Sequence, residues 1–472
     1  MLRFNFFPPS GSETGMATDI AGCTCPGMFY YVPRMRDVKV GIIGLGNVGT
    51  GTLAILMENR EQIAAKLGFD LRVASICSRS VLTKTLPLLP PQVRMTANWR
   101  EVVEDPEINI VAELVGGTGV AREIIDAAIR NGKSVVTANK ELMAKDGASV
   151  WESAIQARIN VAMEASVAGG IPIHTVLREG ISGDRIVALY GILNGTSNFI
   201  LTEIEKHGSA FDAVLAEAQR LGYAEADPTA DIDGHDARSK LALLAALAFG
   251  ERITPSDIYM EGIRRITPID FQYARQLGYT IRLICSAKQT RDGLLLAVRP
   301  SLVSLGTVLA SVKGAYNAVW VQGKYGEDTF YYGRGAGPRP TGVAVVSDLM
   351  RVAREIRCGS PERVSPFAHE RLGEYKPIPI TLNRSAYYLR FRVEDKPGII
   401  ARLATALAEQ KVSIDSVMQL PIENWRDVPF VVTVEPTTEE SIRSAMRDML
   451  TMNFLLEPPL VMPMENPMEK LL

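Results

Sequence analysis

The chain has 472 residues, 47% hydrophobic and 22% charged, with a formal net charge of −2, the balance of an ordinary globular protein of more than one domain. That charge leaves no basic footprint for nucleic acid or an anionic membrane surface, and no apolar run is long enough for a transmembrane helix. Five cysteines without metal-ligand spacing fit reduced thiols in a cytoplasm, and Cys23 and Cys25 form a lone C-x-C in a poor context for zinc.

Residues 1–36 mix Gly, Pro, Ser and Thr without helix or strand period and lack the apolar core of a secretory signal. They read as a disordered extension, with Met35 just ahead of the first strand. From Val38 the chain runs Val-Lys-Val-Gly-Ile-Ile into Gly44-Leu45-Gly46-Asn47-Val48-Gly49, a strand, a G-x-G-x-x-G turn and a helix. The first glycine allows the tight turn, the second lets backbone approach a pyrophosphate, and the third lets helix pack on strand. The phosphates then sit on the helix N-terminus.

The second strand, Leu71–Cys77, ends in Ser78-Arg79-Ser80. An NAD-specific site places an acid here for the ribose 2′-hydroxyl, whereas hydroxyls and an arginine suit a 2′-phosphate. Arg79 therefore favours NADP over NAD, unless it is a plain surface charge. Further βα units follow at Ile110–Thr118 and Ser134–Lys140. Ligands of open α/β sheets bind at the carboxyl ends of the strands, so Thr118 and Lys140 are expected to face cofactor and substrate. Glu164, in an apolar stretch read as strand, needs a buried partner. A hydrogen-bonded structural role and a hard cation shared with carbonyls of the glycine-rich turn are both open.

A strand, an Asn-Gly turn and a helix start occupy 186–200, and a helix spans about 211–221. Glu225, Asp227, Asp231, Asp233, Asp236 and Lys240 then lead into the apolar block Leu241–Phe249. Asp233 before Gly234 reads as a helix N-cap. Asp236 and Lys240 share a helix face, and the all-round apolar block marks a buried helix. Two readings fit the pair, a solvated salt bridge and a lysine tuned for proton transfer.

Strands are expected at 280–287, 294–299, 316–322 and 328–332. The glycine-rich Gly333–Gly342 and a helix at 343–355 either return to the cofactor or form a turn. Residues 361–385 read as a linker. From Ala386 a strand, Asp395-Lys-Pro-Gly, a helix to about Gln410, strands at 412–420 and 428–435, a helix at 438–450 and a strand at 453–460 give the β-α-β-β-α-β order of a ferredoxin-like unit.

Together these pieces resemble homoserine dehydrogenase of the type with a C-terminal ACT domain. The resemblance covers residue 38 to about 460. It rests on the Gly44–Gly49 fingerprint, Thr137-Ala-Asn-Lys140, Asn194-Gly-Thr-Ser-Asn, Gly222-Tyr-Ala-Glu-Ala-Asp-Pro followed by Asp231, Asp236 and Lys240, Gly333-Arg-Gly-Ala-Gly, and Asp395-Lys-Pro-Gly. It implies an α/β fold with a Rossmann-type dinucleotide-binding domain at 37–165, completed by about 335–360. An α+β catalytic and dimerisation domain at 166–334 and an ACT regulatory domain at 386–462 follow.

The implied reaction is NAD(P)H-dependent reduction of L-aspartate 4-semialdehyde to L-homoserine. Lys240 is then the proton donor and acceptor, Glu225 and Asp236 hold substrate, Lys140 lies between nicotinamide and substrate, and Gly222 and Gly337 lie near the cofactor. Glu164 and the carbonyls of Val167, Gly169 and Ile171 match the family's sodium site. The ACT unit implies an amino-acid effector, threonine first, and a homodimer or homotetramer. A dehydrogenase of another small amino acid or aldehyde is the alternative; a non-catalytic sensor is disfavoured because Glu225, Asp236 and Lys240 are all present.

Overall fold

A computed structural model describes residues 37–79, 89–359, 367–369, 371–375, 377–421 and 426–465. Cys23, Cys25, Met35, Ser80 and the whole expected extension lie outside the described residues.

Two sheets organise the chain. The first contains β1 (Asp37–Ile43), β2 (Asp70–Cys77), β3 (Arg94–Thr96), β4 (Ile110–Glu113), β5 (Ser134–Thr137) and β6 (Val161–Ala162). Its order is β3-β2-β1-β4-β5-β6 and every pairing is parallel. The strand order reverses between β1 and β4, the crevice where ligands of such sheets bind. Parallel strands covered on both faces need apolar side chains throughout, and β4 and β5 are buried at every position.

The second sheet contains β7 (Ile186–Ile192), β8 (Tyr259–Met260), β9 (Tyr279–Gln289), β10 (Leu294–Ser304), β11 (Tyr316–Gly323), β12 (Asp328–Arg334), β13 (Arg384–Val393), β14 (Ile414–Met418), β15 (Val428–Thr438) and β16 (Leu460–Glu465). Its order is β12-β11-β7-β9-β10-β16-β13-β15-β14, with β8 beside β10. The last strand is expected at 453–460 but forms later, at Leu460–Glu465. It runs antiparallel to β13 and parallel to β10, with Leu302 opposite Met464 and Val303 opposite Glu465. The ferredoxin-like unit is thereby fused edge-on to the central sheet. Buried charges cross the joint: Lys288 to Glu465 at 2.7 Å and Arg299 to Glu439 at 2.6 Å. Asp270 also accepts from Tyr388 Oη at 2.9 Å.

The described residues of the expected linker are likewise docked. Phe367 is buried in the main core, and Glu251 and Leu294 form β-bridges with Gly373 and Pro377. The expected helix at 343–355 begins earlier and spans Pro338–Arg357, because Pro338 at its first position has the φ a helix needs. Its buried Val345, Leu349 and Val352 join the core of β1 and β4, so this late segment returns to the first sheet. It lies against the Asn47–Glu58 helix so closely that a Cβ on Gly51 falls 1.9 Å from the Pro338 carbonyl oxygen. Only glycine permits that approach. Gly51→Val is expected to destabilise the fold by about 1–3 kcal/mol through overpacking, read as a lower urea midpoint; an unchanged midpoint contradicts the close packing.

Candidate active site

The helix His235–Phe249 carries the central groups. Its N-cap is Gly234, in the left-handed region with φ 92°, without a side-chain cap. The expected cap, Asp233, instead pairs with Arg264 at 2.6 Å, whose guanidinium engages both of its carboxylate oxygens. Leu241, Leu243, Leu244 and Leu247 are fully buried. At about 1.5–3 kcal/mol each relative to exposure, they anchor the helix and fix where Asp236 and Lys240 stand.

Asp236 is the hub. One carboxylate oxygen meets Lys140 Nζ at 2.7 Å; the other meets Lys240 Nζ at 2.8 Å and accepts from Asn194 Nδ2 at 2.8 Å. Lys240 also donates to the Leu193 carbonyl at 2.8 Å. An ammonium has three N–H donors, so one is left for a substrate oxygen. Burial opposes the charge on Asp236, but Lys240 and Lys140 outweigh it and hold the carboxyl well below its usual range. Burial likewise opposes the charge on Lys140, yet Asp236, with Glu141 and Asp231, holds it above the ordinary lysine value. Asp231 moves up, from burial first and the neighbouring Asp236 charge, against the hydrogen bond from Asn194.

The ends of both sheets supply these groups. Asn194 follows β7 and caps the helix Gly195–His207, its Oδ1 accepting from Ser197 N at 2.8 Å while its Nδ2 also donates to Asp231 at 2.6 Å. Lys140 opens the helix after β5. Its N-cap Asn139 accepts from Leu142 N and donates to the Gly117 carbonyl at 2.7 Å. Buried Glu113 at the end of β4 accepts from Thr137 Oγ1 at 2.7 Å and Val115 N at 2.8 Å, fixing the glycine turn beside them. Sequence reasoning gave Asn194, Asp231 and Glu113 no individual role. An acid or amide at the carboxyl end of a buried strand is the signal that marks Glu113 and Asn194; Asp231, in the short helix Thr229–Ile232, carries no such signal.

Glu225 stands apart. It is exposed, and its carboxylate has no hydrogen-bond or ion-pair partner among the described residues. Its loop, with Gly222 at φ 76°, is tied down by Thr196 Oγ1 donating to the Tyr223 carbonyl at 2.6 Å. His235 is exposed, 3.5 Å from Arg238.

The dinucleotide fingerprint lines a cavity of about 630 Å³ that includes Gly44, Leu45, Gly46, Arg79, Trp99 and Gly117. Gly44 turns with φ 106°, a Cβ on Gly49 falls 2.1 Å from the Gly44 carbonyl oxygen, and a Cβ on Gly46 meets nothing within 4 Å. That open backbone at a helix N-terminus fits a pyrophosphate. Asn47, Val48 and Gly49 form the helix's first turn. Thr118 is exposed between Gly117 and Gly119, both of which line the cavity. Gly337, at φ 122°, is the N-cap of the Pro338–Arg357 helix that abuts Gly51.

The sodium expectation fits less well. Glu164 lies in a 3-10 turn, not a strand. Its carboxylate accepts from His174 N at 2.9 Å, Thr175 N at 2.8 Å and Thr175 Oγ1 at 2.5 Å. The Ile171 carbonyl accepts from Ile173 N. Glu164 thus caps a helix start, and no cluster of three or more His, Cys, Asp or Glu suited to a metal occurs among the described residues.

Family models match three stretches of the chain: homoserine dehydrogenase, NAD binding domain, at residues 44–164; homoserine dehydrogenase at 172–350; and ACT domain at 387–450. A homoserine dehydrogenase of Neisseria gonorrhoeae is 39% identical over 92% of this chain and 99% of its own length. This chain belongs to the homoserine dehydrogenase family. The crystal structure of a homoserine dehydrogenase from Thiobacillus denitrificans is 42% identical, with a TM-score of 0.84 over 91% of this chain and 98% of that one. A hyperthermophilic archaeal homoserine dehydrogenase mutant in complex with NADPH is 27% identical, with a TM-score of 0.58 over 67% of this chain and 98% of that one. As a homoserine dehydrogenase the chain is an oxidoreductase acting on a CH–OH group, with an NAD(P)-binding domain and an ACT domain.

Asp236→Asn leaves two ammonium groups facing a neutral amide, and kcat is expected to fall about 10²-fold or more. Because the folded-state carboxyl is depressed, its stabilising contribution is present above the unfolded value near 3.8 and lost as pH falls below it. The stability difference between wild type and Asp236→Asn, from urea titrations, should therefore be constant near neutrality and shrink below about pH 4. A difference that grows on acidification contradicts the pairing.

Proposed function

We propose that this homoserine dehydrogenase interconverts L-aspartate 4-semialdehyde and L-homoserine with NADP(H), Lys240 acting as general acid and base. The observation that carries the reading is the Asp236 carboxylate bridging Lys140 and Lys240. When bound, the nicotinamide supplies or accepts the hydride. Lys240 holds a proton at Nζ, stabilises negative charge developing on the C4 oxygen, and gives up the proton as the alcohol forms. Asp236 keeps that ammonium charged and oriented, and Lys140 brings a second positive charge to the boundary between the two sheets. Glu225, an exposed carboxylate without a partner among the described residues, suits the substrate ammonium once the loop meets substrate. Asp236 completes the substrate ligands.

On the cofactor side Gly44, Leu45, Gly46, Asn47, Val48 and Gly49 receive the pyrophosphate, with Thr118, Gly222 and Gly337 around it. Arg79 is assigned to the 2′-phosphate that separates NADP from NAD. The relative named with NADPH supports that preference by analogy. Sodium is no part of the proposal, since the Glu164 carboxylate already accepts three hydrogen bonds. Residues 37–165 with 335–360, 166–334 and 386–462 form the dinucleotide-binding, substrate and regulatory units. The regulatory unit answers to an amino acid, threonine first, in a cytoplasmic homo-oligomer serving threonine, methionine and isoleucine synthesis. The second reading, another small amino aldehyde, is kept open by Glu225, whose exposure leaves the substrate's amino contact unformed.

Purified enzyme should oxidise NADPH with L-aspartate 4-semialdehyde, and Lys240→Ala should lower kcat by about 10²-fold or more. Turnover only with other aldehydes overturns the substrate; a fully active Lys240→Ala overturns the proton role. Arg79→Ala should raise KM for NADPH by about 10-fold while leaving NADH nearly unchanged, measured by initial rates with each nucleotide. Equal loss with both contradicts the 2′-phosphate assignment.

A further inference from the structure

Glu113 is a fully buried acid with no part in the proton transfer assigned to Lys240. It ends β4, whose other residues, Ile110, Val111 and Ala112, are buried and apolar. No cation among the described residues pairs with it; its carboxylate accepts only from two backbone N–H groups and a hydroxyl. A buried carboxylate without a counter-charge is costly, so packing does not account for an acid here. Its hydrogen bonds do. Val115 N at 2.8 Å and Gly116 N at 3.4 Å donate to Oε1, and Thr137 Oγ1 donates to Oε2 at 2.7 Å. Thr137 Oγ1 accepts in turn from Asn139 N at 3.0 Å, and Asn139 Nδ2 donates to the Gly117 carbonyl at 2.7 Å. The bonds close a ring from Glu113 through the Val115–Gly117 turn to Asn139 and back through Thr137. Gly116 and Gly117 take φ 82° and 70°, a turn that only glycine enters freely. Val115, Gly116 and Gly117 line the dinucleotide cavity. Asn139 caps the helix that opens with Lys140, its Oδ1 accepting from Leu142 N at 3.1 Å, and Lys140 Nζ meets Asp236 at 2.7 Å.

We propose that Glu113 is a positioning residue for hydride transfer that acts through Lys140, its ring holding the start of the Lys140 helix in register with the cofactor turn. The inference rests on the reaction proposed above and adds a residue to it. Charge matters because hydrogen bonds to an ionised acceptor are about twice as strong as neutral ones. Glutamine has the same size, but its amide carries a donor in place of one oxygen. Either the Thr137 hydroxyl or the turn's N–H groups then lose their acceptor. The ring slackens, and Lys140 loses its fixed approach to Asp236. Misplacement of a reacting group by about 1 Å can cost about 10²-fold in rate. Nucleotide affinity is a separate matter, because the Gly44–Gly49 fingerprint and Arg79 that serve it take no part in the ring.

The test is single-turnover stopped flow on the full chain with NADPH and L-aspartate 4-semialdehyde, alongside NADPH titrations followed by nucleotide fluorescence. Glu113→Gln and Thr137→Val should each lower the hydride-transfer rate constant by about 10-fold or more, while Kd for NADPH stays within about threefold. Thr137→Ser, which keeps the hydroxyl, should recover most of the rate lost in Thr137→Val. In a Lys140→Met background Glu113→Gln should cost less than about threefold, since the group it positions is gone. A loss confined to signal amplitude, with the wild-type rate constant, would reflect fewer folded molecules and overturns the positioning role. An equal loss of NADPH affinity overturns it too, as does a full loss that persists beside Lys140→Met. Absence of wild-type turnover overturns the proposed reaction and this role with it; turnover by wild type with an unimpaired Glu113→Gln overturns the role alone.

Discussion

One buried carboxylate between two ammonium groups is the constraint on which the active site depends. Lys140 and Lys240 come from two different helices, and placing two like charges beside one protein carboxylate is unfavourable unless that carboxylate stays ionised. Asp236 does so because both lysines and the Asn194 amide converge on it. The pair closes the seam between the dinucleotide-binding sheet and the central sheet. On the proposed mechanism, a hydride donor from one side and a carbonyl from the other meet there.

The scaffold gives that junction its rigidity. The Asp236–Lys240 helix is held by all-round leucine and alanine burial, the Lys140 helix by the Asn139 cap, and the glycine turn after β4 by Glu113. Beyond the site, β16 joins the ferredoxin-like unit to β10 in one continuous sheet, with Lys288–Glu465 and Arg299–Glu439 buried across the joint. A regulatory unit attached in this way is mechanically part of the substrate unit. It is no tethered appendage.

Much of this was legible in the sequence, for physical reasons. The G-x-G-x-x-G turn has a strand before it and a helix after it, so Gly44, Gly46 and Gly49 declare their roles by spacing. Asp236 and Lys240 four residues apart, ahead of an apolar block, announce a charged mouth on a buried helix. What spacing could not show was partnership across the chain. Lys140 reaches Asp236 from almost a hundred positions away, and Asn194 bridges Asp231 and Asp236 from the N-cap of another helix. Glu164 left two readings open because an acid among apolar residues looks alike as cation ligand or hydrogen-bonded cap; the N–H groups of His174 and Thr175 that it accepts from lie outside any local window. Asp233 looked like an N-cap because its competing partner, Arg264, lies outside any local window. The docking of Phe367, Gly373 and Pro377 was hidden by polar, proline-bearing composition. The late start of β16 was hidden because its pairing is set by β10 and β13 and not by its own residues.

The most direct measurement is a double-mutant cycle on kcat for semialdehyde reduction, using Asp236→Asn, Lys140→Met and the double variant. If one carboxylate holds both lysines as a unit, the effects are strongly non-additive, and the double variant is little worse than Asp236→Asn alone. Effects that add to within about 0.5 kcal/mol would mean that Lys140 and Asp236 act independently, and the shared-carboxylate account would be wrong.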